Sequence, residues 1–164
     1  MRKVFSFPET VNEVSARLVA GGVVLITLLI LLGGQYWLLP VLAYGFVARV
    51  LSGPTLSPLG QLVTRVLTPA LPVEPKIVPG PPKRFAQAIG ATLSVAAVIS
   101  YYVFGNTTVA LVLVAMITVA ASLESFLGYC LGCKIFGLLM KAGVIPPEVC
   151  EACNDLSLRQ PSAA

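Results

Sequence analysis

Charged residues vanish from Leu18 to Ala48, a run of 31 positions. A membrane-spanning helix needs ~20 mostly apolar residues, so this run is too long for one span and barely enough for two. Gly33-Gly34-Gln35 divides it, which predicts a tight helical hairpin with spans over about 12–33 and 35–52. Thr10 as N-cap and Glu13 three residues later form a capping-box pattern for the first helix, and Glu13 stands at i,i+4 to Arg17. In the second, Tyr36 and Trp37 suit a membrane interface, Pro40 suits a kink, and Arg49 is placed to snorkel outward. A second clean run predicts a third span over 85–104, with Ala86, Gly90 and Ser94 on one face as a small-residue stripe for close helix packing. After the polar turn Gly105-Asn106-Thr107-Thr108, a fourth span follows over about 109–129.

Between spans two and three the pattern changes twice. Leu59, Leu62, Val63, Val66 and Leu67 recur at helical spacing, with Gln61, Thr64 and Arg65 on the other face. They predict an amphipathic helix over 58–68, started by Ser57 and Pro58, too short to span and suited to the membrane interface. Residues 69–82 contain six prolines and predict an extended, semi-rigid strut.

Composition fits this picture. The chain is 57% hydrophobic and 11% charged, against about 25% charged in soluble domains. Its start, MRKVFSFPETVNEVSAR, lacks the early apolar region of a secretory signal. The expected fold is an all-α membrane protein: a four-span bundle with an interfacial helix over residues 1–145, then a tail, 146–164, carrying cysteines. All eleven Lys and Arg residues flank one side of these spans, and the loops on the other side carry no charge. The positive-inside rule then places both termini in the cytoplasm. The same distribution argues against nucleic acid as a partner, because the basic residues flank spans and form no patch with interleaved aromatics. The partner to expect is the lipid bilayer.

The chemistry sits in four cysteines, Cys130, Cys133, Cys150 and Cys153, arranged as two Cys-x-x-Cys pairs sixteen residues apart. In a reducing cytosol, clustered cysteines point to metal binding or catalysis and away from structural disulfides. If the second pair folds back on the first, four thiolates converge in the pattern of a tetrahedral zinc site. An iron–sulfur cluster is the other four-cysteine option. The metal would organise a docking surface for a partner at the cytoplasmic face. Alternatively, the two pairs form a thiol–disulfide or sulfur-transfer relay, working with a thioredoxin-like protein or a quinone. Against the relay, a fourth helix continuing through Cys130 and Cys133 would put them at a C-terminal end, where the dipole disfavours thiolate. Histidine is absent from the chain, which removes haem ligation through histidine and Ser-His-Asp or Cys-His catalysis. No Gly-rich phosphate loop follows a strand, so no nucleotide is expected. Small-solute transport is the weakest class, as no inverted repeat is visible.

Glu124 is the one carboxylate inside the fourth span, and an ion pair with Arg84 or Arg49 is its expected structural role. An intramembrane ionisable residue is also a functional candidate. On a continuous helix Glu124 would lie far round from both cysteines, making it a poor local base unless the helix breaks at Gly128 or Gly132.

Three segments in this order carry a resemblance: Gly53-Pro54 with Ser57-Pro58-Leu59-Gly60, then Arg84-Phe85-Ala86-Gln87, then Leu123-Glu124 with Gly128-Tyr129-Cys130-Leu131-Gly132-Cys133. Together they resemble the bacterial integral-membrane family catalogued as domain of unknown function 4395. The likeness covers roughly residues 8–140, and Cys150-Glu151-Ala152-Cys153 fits the tail of many members. It implies a small multi-span protein of a bacterial cytoplasmic membrane, and no particular activity, substrate or cofactor.

Overall fold

The computed structural model of the protein describes residues 10–146 and Glu148. It is mostly helical. In chain order the elements are β1 (Thr10–Asn12), α1 (Glu13–Leu31), α2 (Leu38–Ser52), α3 (Pro58–Leu62), a π-helical turn (Val63–Leu67), α4 (Thr68–Ala70), β2 (Ile77–Pro79), α5 (Gly80–Tyr102), α6 (Thr107–Leu127) and α7 (Leu131–Lys141). Three helices are long and apolar enough to cross a membrane: α1 with 19 residues, α5 with 23 and α6 with 21. At 1.5 Å per residue these reach ~29, ~35 and ~32 Å, matching a hydrocarbon core of ~30 Å. The remaining long apolar helix, α2, has 15 residues and reaches ~22 Å.

The helices do not pack in the order they are connected. α1 lies mainly against α6 and α2 against α5, while α5 also holds α6 and α7. The α1–α2 hairpin is therefore splayed, with each arm on a different partner. The core includes Val23, Ile30, Leu39, Leu42, Ala97, Val114 and Ile117. The small-residue stripe of α5 permits this packing. A Cβ on Gly90 would run into the Phe46 ring of α2, and Ser94 is fully buried. Leu25, Leu32, Val103, Val112 and Val119 face outward. An apolar belt of this size is compatible with contact to a lipid bilayer.

Both ends of the bundle are defined by side chains. Tyr36 stacks on Tyr101 at 4.8 Å, and the Tyr102 hydroxyl donates to the Tyr36 carbonyl at 3.3 Å. At the opposite end the basic residues gather. Arg17 donates to the Ser125 and Phe126 carbonyls that end α6, and Arg84 Nε donates to the Val50 carbonyl at 3.0 Å.

Several local expectations are corrected. Asn12 caps α1, accepting the Val14 N–H at 3.0 Å, because Thr10 belongs to a strand. That strand pairs antiparallel with β2, with Val11 opposite Val78. Glu13 pairs with Lys76 across this ribbon at 2.8 Å, and Arg17 turns to α6 instead of to Glu13. The proline-rich stretch is thus tied down by strand pairing. α5 begins at Gly80, five residues before the expected span, because Pro81 and Pro82 occupy its first turn, where a missing N–H costs nothing.

The segment Pro58–Ala70 is helical, with the Ser57 hydroxyl accepting from the Gly60 N–H. Val63 is fully buried and Leu59 partly so, whereas Leu62, Val66 and Leu67 are exposed. The π-helical turn shifts the helical phase, and the Thr64 hydroxyl takes up the Gly60 carbonyl at 2.8 Å. The tail with Cys150 and Cys153 lies outside the described residues.

Candidate functional site

Gly128 decides where the first cysteine pair sits. It is left-handed, with φ 66°, a conformation that suits glycine and ends α6. The Gly128 and Tyr129 N–H groups close onto the Glu124 and Leu123 carbonyls, each at 3.1 Å. Cys130 then adopts an extended conformation and becomes the N-cap of α7. The two cysteines therefore stand at the start of a new helix, and the expected continuation of the fourth span through them does not occur. The dipole penalty reverses: a helix N-terminus favours thiolate.

The local geometry separates the two sulfurs. Cys130 Sγ accepts the Cys133 backbone N–H at 3.4 Å, and Cys133 Sγ lies 2.6 Å from Cys130 Sγ with its S–H directed there. Both thiols are free. This hydrogen bond holds the Cys130 thiol below its ordinary range, helped by the Lys83 ammonium and opposed by burial and by Glu124. Cys133 is pushed well up by donating that same hydrogen bond, by burial and by the charge on Cys130. The arrangement favours the thiolate on Cys130 and the proton on Cys133.

Gly132, inside the motif, fixes α7 to α5. A Cβ there would lie 2.5 Å from Ala86 Cα, so only glycine lets the helices come this close. Phe136 against Phe85, with ring centroids 5.7 Å apart, anchors α7 one turn later.

A buried ion pair lies behind the sulfurs. Lys83, from the first turn of α5, is 8% exposed and binds Glu124 Oε1. Glu124 is thus paired with Lys83, not with Arg84 or Arg49 as expected. Arg49 does not snorkel outward. It is 5% exposed, donates from Nε to Gln87 Oε1 at 3.0 Å and from an Nη to Ser57 Oγ at 3.4 Å, and lies 4.6 Å from the Phe46 ring centroid. Arg84 points away to the end of α2.

Of the residues singled out from the sequence, the structure brings Cys130, Cys133, Glu124 and Arg49 into one neighbourhood and leaves Arg84 outside. Cys150 and Cys153 are outside the described residues. Among the described residues, no group of three or more metal-ligating side chains converges. The site also holds Lys83 and Gln87, which the sequence does not single out as candidates, although Gln87 belongs to a segment that carries the family resemblance. Their signal was in the stripe itself: Lys83, Gln87, Gly90, Ser94 and Ala97 share one α5 face at steps of four and three.

With this geometry in view, comparison with protein families places the chain. The model of the family described as domain of unknown function 4395 matches residues 11–141 of the 164, and the chain belongs to that family. Comparison with curated proteins and with solved structures finds no match.

Proposed function

We propose that the protein is a membrane-embedded thiol–disulfide exchange protein with Cys130 as nucleophile and Cys133 as resolving thiol. The observation that carries this is Cys130 Sγ as the cap of α7, with the Cys133 N–H and S–H aimed at it. In the exchange, Cys130 thiolate attacks a disulfide of a partner protein. A mixed disulfide forms, and the other partner sulfur leaves as thiolate. Cys133 gives its proton to that thiolate and attacks Cys130 Sγ, expelling the second partner sulfur with its electron pair. Two electrons pass to the partner, and Cys130–Cys133 becomes a disulfide. The reverse sequence reduces it. A thioredoxin-like protein is the partner class, and Cys150–Cys153 is the candidate second dithiol.

The setting is a bundle of four spans in a bacterial cytoplasmic membrane, with α2 as a short second span and both termini cytoplasmic. The grounds are the three long apolar helices, the shorter apolar α2 and the one-sided distribution of Lys and Arg. On this reading the helical segment Pro58–Ala70 lies at the inner interface.

A trapping experiment separates exchange from the zinc site that four cysteines also allow. Reduced full-length protein is mixed with glutathione disulfide, and adducts are mapped by mass spectrometry alongside zinc content. Cys133→Ser should hold a mixed disulfide at Cys130, and Cys130→Ser should hold none at Cys133. Stoichiometric zinc in the wild type, lost on replacing any one of the four cysteines, would replace exchange with a structural metal centre.

A further inference from the structure

The dithiol is reached from two sides. Cys130 lines an outer groove of about 380 Å³ together with Cys133, Tyr129 and Lys134. It also lines a separate cavity of about 280 Å³ within the bundle. Val19, Val23, Leu93 and Ile117 make that inner cavity largely apolar, and Arg49, Gln87 and Glu124 form its polar end. Met116, Leu131 and Ile135 belong both to its wall and to the exposed apolar surface, at 53%, 42% and 39% exposure. Its mouth therefore opens through the apolar belt. A water-borne protein disulfide meets the outer groove. The inner one admits a molecule dissolved in lipid.

Building on the dithiol reading, we propose that the inner cavity binds the ring of a quinone, which takes two electrons from Cys130 and Cys133. The volume is near the lower end for small-molecule sites, ~300 Å³, enough for a ring whose apolar tail leaves through the mouth. A quinone ring carries two carbonyl acceptors. The polar end offers donors held in place: the Arg49 guanidinium, and the Gln87 amide, whose oxygen is already engaged by Arg49. A fatty acid could pair with Arg49, but it would make no use of the sulfur on the wall and accepts no electrons.

The step balances. Cys130 thiolate adds to a ring carbon, and one ring oxygen takes up a proton from water, equivalent to the one Cys130 released on ionising. Cys133 then gives its proton to the second ring oxygen and attacks Cys130 Sγ. The S–S bond forms, the C–S bond breaks, and its electron pair stays with the ring. Overall, the two thiols lose two protons and two electrons, the quinone becomes a quinol, and a disulfide remains. The outer groove would then pass that disulfide to a partner dithiol.

The test uses reduced full-length protein in phosphatidylcholine nanodiscs without oxygen, with decylubiquinone as the probe. Thiol loss and quinol formation are followed together, with glutathione disulfide as a parallel oxidant. One quinol should form for each dithiol lost. Ala120→Phe, which fills the cavity, should slow quinone reduction by roughly tenfold or more and leave oxidation by glutathione disulfide unchanged. Gln87→Leu removes a donor at similar volume and should raise the quinone KM; it decides the matter if Ala120→Phe fails to fold. Wild type that reacts with glutathione disulfide but not with quinone would overturn the quinone site and leave the exchange reading intact. So would a folded Ala120→Phe with an undiminished quinone rate. Reaction with neither oxidant would overturn both.

Discussion

Lys83 Nζ and Glu124 Oε1 form a buried ion pair that ties the first turn of α5 to the last turn of α6, with side chains 10% and 16% exposed. Each charge is largely withdrawn from water and is neutralised chiefly by the other. The pair also sets the electrostatics at Cys130, where Lys83 favours the thiolate and Glu124 opposes it.

Breaking this pair should be costly, and removing it whole should not. Lys83→Met or Glu124→Gln alone leaves one buried partner uncompensated, for a loss of roughly 3–5 kcal/mol. The double variant should recover most of that. Thermal unfolding in detergent of the wild type, both single variants and the double variant measures the coupling. Additive losses would mean that the two side chains are not paired.

Gly132 predicts a contrast with Gly137 on the same helix. A Cβ at Gly132 would run into Ala86 Cα at 2.5 Å, while one at Gly137 meets nothing within 4 Å. Gly132→Ala should therefore lower the melting temperature and loosen Cys130. Gly137→Ala should be neutral or stabilising by up to ~1 kcal/mol, since alanine is the better helix former. Melting curves and Cys130 alkylation rates read both effects.

The orientation rests on the one-sided charge. In a cysteine-free background, a cysteine at Asn106 should react with an impermeant maleimide in intact cells. One at Lys141 should react only after lysis. The opposite pattern would invert the topology and place the dithiol in an oxidising compartment.

How much of this was legible in the sequence depends on the kind of signal. Runs of apolar residues, as in α1, α5 and α6, are set by composition over many positions and survive any error at single residues. Helix ends are set by single residues. Gly128 lies in an apolar stretch that reads equally well as a continuing helix or as a break, so the sequence names the position without deciding whether Cys130 stands at a new N-terminus. Its left-handed φ became visible only in three dimensions. A span that starts at Phe85 leaves Lys83 outside the helix and off its packed face. Extending the face of Gly90 and Ser94 back by two turns reaches Lys83 and leaves Arg84 outside. The β1–β2 ribbon joins residues more than sixty positions apart, and three-residue strands give no periodicity to read.

The proposed exchange turns on Cys130 as a helix-capping thiolate with Cys133 as its proton donor. The direct measurement is the alkylation rate of each sulfur by iodoacetamide against pH, resolved by mass spectrometry on the reduced protein. An ordinary cysteine loses reactivity below a pKa of about 8.5. With its pKa depressed, Cys130 should stay reactive below that value and lose reactivity only as pH falls through its own lower pKa. Cys133, with its pKa raised, should stay unreactive until far higher pH. In the Lys83→Met, Glu124→Gln background the loss of both charges removes opposed influences, so Cys130 should remain the more reactive sulfur. Two cysteines titrating together near the ordinary value, or Cys133 reacting first, would contradict the account.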